Sequence, residues 1–203
     1  MGLVQSVTPN TNRFVNPPAG YDSLNYGFHH RKNIAAGAQT GTLSFFDGAG
    51  GTTLLETNLT RGTISKENAF LLQFVNCEIT VNAETGLVTD TNVLLQVASL
   101  HMIMHRSLIT LSLGPTEYFT LPTWRVPAGG GITGVATGGA AAATDFAALT
   151  NGIATIHNAY PVRIPLESQD DIKWGLNWPA SATTTLDMAV TMVMTGLLLR
   201  PTR

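Results

Sequence analysis

Chemistry in this sequence could reside in five histidines, one cysteine, three tryptophans and two glycine-rich runs, each of which needs partners at defined spacing. His101 and His105 stand at HxxxH spacing, one turn apart on a helix face that zinc can use. The metalloprotease form requires Glu beside the first histidine, and Met102 occupies that place. Zinc also needs three or four convergent ligands, so the pair reads as packed or surface groups. His29 and His30 are adjacent and project differently in any regular backbone. With Arg31 and Lys32 they read as a solvated or subunit-contact cluster. GAGG at 48–51 lacks the Gly-Lys-Ser/Thr ending that cradles a phosphate, because Thr52 and Thr53 follow without a lysine. The triplet at 129–131 in LPTWRVPAGGGITG follows a strand end with neither a helix signal nor a lysine after it, and reads as a scaffold bend.

Cys77 stands alone in QFVNCEITV, which excludes an intrachain disulfide and a cysteine metal cluster and predicts a small buried apolar residue. Asp170-Asp171 is explained by a polar turn. Trp124, Trp174 and Trp178 could line a sugar platform, but strand tryptophans are more often core or interface anchors. Asn58-Leu59-Thr60 fits a glycosylation sequon without an export signal beside it. No GxSxG, HExxH, CxxC or helix-opening GxGxxG occurs. No catalytic, cofactor-binding or metal-binding residue is nominated, and the expectation is a protein that is not an enzyme and carries no cofactor.

The elements that would position these residues are mostly strands. Residues 1–38 hold Pro9, Pro17, Pro18 and many asparagines without sustained periodicity, and predict an extended N-terminal arm. Strands are predicted over 40–47, 69–82, 107–114 and 116–127, the last with Trp124 and Arg125 on opposite faces. In 69–82 the alternation of Val75, Cys77, Ile79 and Val81 with polar residues marks a half-buried strand. Its first half, Phe70 to Phe74, is apolar on both faces and requires cover on both sides or a bulge. Val93, Leu94, Val97, Leu100, His101, Met104 and Leu108 fall at helical spacing, predicting a helix over 91–105 capped from Thr89, Asp90 or Thr91. Residues 128–150 are Gly, Ala and Thr with almost no charge. They predict an insertion loop with a short helix begun by Thr144-Asp145. Strands resume over 157–167, 171–178 and the closing TTTLDMAVTMVMTGLLLRP, where Gly196 bends or bulges the chain. Many strands, one interposed helix and no βαβ alternation predict an all-β antiparallel sandwich, with jelly roll and immunoglobulin-like arrangements leading. The predicted domain is a single one over 39–203.

Charged residues make up 12% of 203, about half the ordinary share, so much of the surface is expected to meet protein instead of water. Net charge is −2 with only three lysines among eleven cations, which is no footprint for wrapping nucleic acid. Apolar stretches are interrupted well before the roughly 18 residues a membrane span needs.

The order of segments carries a resemblance. TGTLSFFDGAGGTT, TNLTRGTISKENAFLLQFVNCEITV, the helix, GPTEYFTLPTWRVPAGGG, YPVRIPLESQDDIKWGLNWP and a closing LLLRPTR succeed one another. From about residue 40 onward this succession resembles the jelly-roll capsid proteins of tailless bacterial viruses, of the kind predicted from environmental sequences. The resemblance implies a single jelly roll acting as a virion structural protein, a self-assembling capsid subunit built in the host cytoplasm. Its implied partners are copies of itself and other capsid proteins. Arg13, Arg31 and Lys32 are then candidates for contact with the genome or internal surface, and Trp124 and Arg125 for contact between subunits. Two alternatives remain: a lectin-like carbohydrate-binding sandwich using its tryptophans, and a cupin-like metal enzyme using His101 and His105.

Overall fold

The computed structural model describes residues 11–47, 53, 54, 56–59, 63–81, 93–126, 133–136, 147–150, 159–168 and 170–202. In chain order these form α1 (Asn12–Val15), β1 (Tyr21–Ile34), β2 (Gly37–Phe45), β3 (Ala69–Val81) and α2 (Val93–Arg106). Then follow β4 (Leu108–Leu113), β5 (Thr116–Pro122), a 3-10 turn (Thr123–Arg125), β6 (Thr133–Ala136) and β7 (Ala147–Thr150). The chain closes with β8 (Tyr160–Leu166), β9 (Ile172–Thr184) and β10 (Met188–Pro201). The glycine runs at 48–51 and 129–131, the capping residues Thr89 to Thr91 and the short helix at Thr144-Asp145 lie outside the described residues.

Two antiparallel sheets face each other. One runs β1-β10-β3, with β8 paired to the first half of β3 and the β7–β6 hairpin joined near its end at Thr80↔Thr150. The other runs β2-β9-β4-β5. The first four strands alternate between the sheets, and β1-β10-β3-β8 facing β2-β9-β4-β5 is the strand order of a jelly roll. Period-two patterning decides what each face meets. In β4, Ile109, Leu111 and Leu113 point inward and alternate with half-buried Leu108, Thr110 and Ser112. In β9, Ile172, Trp174, Leu176 and Trp178 do the same, and in β10 Met188, Val190, Met192 and Met194. These rows form one core between the sheets.

The doubly apolar start of β3 meets both of its requirements. Phe70 and Leu72 enter the main core, while Ala69 and Leu71 turn outward under Phe14 of α1, together with Leu199. Phe14 is held in place by neighbours of its own segment: Arg13 pairs with Glu167, and Arg163 donates to Thr11 Oγ1 at 2.6 Å. Complete burial of such a side chain stabilises by about 1.5–3 kcal/mol. The ladder between β3 and β10 also slips by one residue at Thr195/Gly196, a bulge that leaves Gln73 without an opposite partner.

Three expectations are corrected. Tyr21–Ile34 is not arm but a 14-residue strand paired along its length with β10, so the sandwich begins well before residue 39. Its inward row, Tyr26, Phe28, His30 and Ile34, is diluted by Asn, His and Lys, which hid the alternation. Residues 128–150 are not all loop, since β6 and β7 lie within them. The strand expected over 116–127 stops at Pro122, which already opposes Leu108, the first residue of β4. Beyond it no ladder partner remains, and the chain turns, with buried Thr123 donating its N–H to the Ser107 carbonyl at 3.1 Å. The carbonyl of Val126 then accepts the Cys77 N–H at 3.1 Å, on the side of β3 between the stretches paired to β8 and β7.

Gly196 is the position where a side chain is least tolerable, because an added Cβ would lie 1.9 Å from the Leu71 carbonyl oxygen. Gly196→Ala is expected to destabilise the chain by about 2–3 kcal/mol or more through forced backbone movement. Gly27→Ala, whose Cβ would meet only the Met194 carbonyl oxygen at 3.8 Å, should stay within about 0.5 kcal/mol. Urea denaturation of both variants checks the pair.

Candidate functional site

Helix α2 packs its apolar side into the sandwich through Leu100, Ile103 and Met104. Ser99 ties it to the β9–β10 connection, its Oγ accepting the N–H groups of Thr185 at 3.0 Å and Leu186 at 3.2 Å. His101 and His105 are thereby left on the solvent side, exposed, with rings stacked at 5.4 Å and 17°. Among the described residues no group of three or more His, Cys, Asp or Glu is placed to hold a metal.

The tryptophans separate. Trp174 is 0% exposed and Trp178 7%, both in the core, whereas Trp124 is 48% exposed on the 3-10 turn. They cannot form one platform. Arg125 does not lie opposite Trp124 across a strand. Its guanidinium sits 5.8 Å from the Trp124 ring centroid, within cation–π range. Trp124, placed on the 3-10 turn and not on a strand, is the exposed member of the three.

The N-terminal cations are dispersed. Arg13 pairs with Glu167 and lies 5.0 Å from the Phe14 ring centroid. Lys32 reaches Asp47 at 3.2 Å. Arg31 is in register with Thr191, which is in register with Glu78. Burial pushes the Glu78 carboxyl above its ordinary range, partly offset by the Arg31 charge. Arg13 and Lys32 are thus committed to carboxylates of their own subunit, and the three cations form no patch.

His30 departs furthest from expectation. It is neither solvated nor a subunit contact but 2% exposed, with Nδ1 accepting the Phe46 N–H at 2.8 Å. Burial, followed by the Lys32 charge, holds its imidazole below its usual value, against weaker opposing pulls from Asp47 and Glu56. Cys77 is fully buried, and desolvation drives its thiol far above the usual range, which suits a packed apolar residue and not a nucleophile. Asn58 of the sequon is spent on β1, donating from Nδ2 to the Gly27 carbonyl at 2.7 Å and accepting the His29 N–H at 2.8 Å.

A depression of about 910 Å³ opens beside the start of β1 and the end of β10. Its described lining residues are Asp22, Glu67, Asn68, Arg200, Pro201 and Thr202, with no histidine or cysteine among them to serve as base or nucleophile. The surface feature that stands out is apolar instead: Val15, Tyr21, Leu54, Tyr118 and Trp124 are large side chains left exposed. Compared with known proteins, the chain matches no family model and no curated protein.

Trp174→Ala should cost about 3–5 kcal/mol as a core truncation, and Trp124→Ala less than about 0.5 kcal/mol. Chemical denaturation of the two variants checks the division between core and surface tryptophans.

Proposed function

We propose that this chain is a virion structural protein, a self-assembling capsid subunit whose jelly roll is the rigid block of a viral shell. The observation that carries the reading is the strand order β1-β10-β3-β8 facing β2-β9-β4-β5. Jelly rolls of this kind serve viral shells, lectins and cupins. What the interior and surface hold then weighs among the three. A cupin-like enzyme wants ligands converging inside the sandwich, and the inward rows of β4, β9 and β10 are almost wholly apolar. A lectin-like platform wants several exposed aromatics together, and Trp174 and Trp178 are spent in the core. A shell subunit wants a stiff core, a weakly charged surface and exposed anchors, which agrees with 12% charged residues and with Trp124 and Tyr118 left open.

In this reading the role is assembly and not catalysis, the partners are copies of the chain with or without other capsid proteins, and the location is the virion after assembly in the host cell. Trp124 backed by Arg125 is the proposed contact between subunits, since tryptophan and arginine dominate interface energetics. Genome contact from Arg13 and Lys32 is disfavoured by their ion pairs, leaving Arg31 of the three N-terminal cations.

Light scattering and negative-stain electron microscopy of the purified chain test the proposal. Closed shells or tubes are the expected result, and a strict monomer at high concentration overturns it. Trp124→Ala should lower the assembled fraction at least tenfold, a loss ordinary for an interface anchor, while leaving the thermal midpoint of the subunit unchanged.

A further inference from the structure

His30 occupies an inward position of β1, in the row that Phe28 and Ile34 mark as core. The rings of Phe45 and Phe46 stand edge-on to it at 5.8 and 5.4 Å. Because Nδ1 accepts the Phe46 N–H, the neutral ring carries its proton on Nε2, a buried atom with no partner among the described residues. A second proton must go to Nδ1. It would break the Phe46 bond and leave a cation among phenyl rings.

Phe46 is also the residue least suited to being released quietly. Its φ of 57° is left-handed, a conformation costly for a bulky side chain, so the hydrogen bond to His30 helps hold a strained corner. Beyond that corner the chain returns along the outer edge of β1. Arg31 donates its N–H to the Glu56 carbonyl at 2.6 Å, His30 bridges Thr57, and Asn58 holds Gly27 and His29. The segment 56–59 thereby covers backbone groups that an edge strand would otherwise present.

We propose that His30 is an acid-release latch: its protonation frees Phe46, loosens the segment 56–59 and uncovers the outer edge of β1. The charged groups around His30 lie on β1, just beyond β2 and in the edge segment. Lys32 and His29 on β1 oppose the second proton, while Asp47 beyond β2 and Glu56 in the edge segment favour it. Across β1, the neighbouring strands place Met192 of β10 opposite His30 and Cys77 of β3 opposite Met192. With burial dominant, the imidazole of the folded chain titrates below the unfolded value of about 6.5. The unfolded chain then takes up the proton first, so stability is full above that pH and falls as pH drops toward the folded value. Glu78, held high by burial, acts in the opposite direction as pH falls.

The test compares the full wild-type chain with His30→Gln, whose Oε1 can accept the Phe46 N–H and does not titrate, between pH 7 and 5, above the ordinary carboxylate range. The wild-type thermal midpoint should fall as pH drops below 6.5, by at most about 3–5 °C per pH unit, and the variant should lack that component. Hydrogen exchange corrected for intrinsic rate should show the His29 and Arg31 amides losing protection at pH 5 in the wild type and keeping it in the variant. Equal pH dependence in both proteins overturns the latch. Should the variant fail to fold, titration of the His30 ring by NMR in the wild type decides: a value at or above 6.5 overturns the proposal, and a depressed value with the Nε2–H tautomer supports it.

Discussion

The ladder of β10 is the constraint on which the remaining elements depend. Its 14 residues are paired on one side to the whole of β1 and on the other to β3, so no neighbour can shift without carrying the others. Alternation then assigns each side chain. Met188, Val190, Met192 and Met194 fill the space between the sheets, where flexible thioethers adapt to irregular packing. One slip interrupts the ladder, at Gly196, where the bulge of β3 brings the Leu71 carbonyl against the glycine. That local departure lets Leu71 face outward and Leu72 inward, and it is why α1 has an apolar surface on which to place Phe14.

Polar chemistry is used in this molecule to close edges and corners. Ser99 receives two backbone N–H groups from the β9–β10 connection. Asp187 accepts the Ala36 N–H at 2.7 Å, linking that connection to the β1–β2 corner, where Thr184 also bonds to the Ala35 carbonyl. Asn58 and Glu56 cover β1, and Val126 reaches β3. These bonds tie the connections and the edge segment to the two sheets.

Much of this was legible beforehand. The strands at 69–81, 108–113, 160–166 and 188–201, the helix at 93–106 and the irregularity at Gly196 follow from local period and composition. Less legible was β1, because an edge strand held along one whole side by a partner from the other end of the chain tolerates Asn, His and Lys at five of its 14 positions. Its surviving signal is the spacing of Tyr26, Phe28 and Ile34, with His30 standing where an apolar residue would complete the row. Residue type alone points a histidine to the polar surface and says nothing about whether a neighbour, here Phe46, will supply the hydrogen bond that makes burial tolerable.

Alone, the sequence determined the properties that are local or additive: strand and helix period, the weakly charged surface, an isolated cysteine, and no recognisable catalytic motif. Only the tertiary structure decided which tryptophan is exposed, which cations are held by carboxylates, and which histidine is buried. Those outcomes depend on pairing between distant segments, such as Tyr21 with Pro201 and Arg13 with Glu167. Contacts of that range arise from closure of the sandwich, where the free energy of burying two apolar faces selects one register and carries every polar side chain to its place.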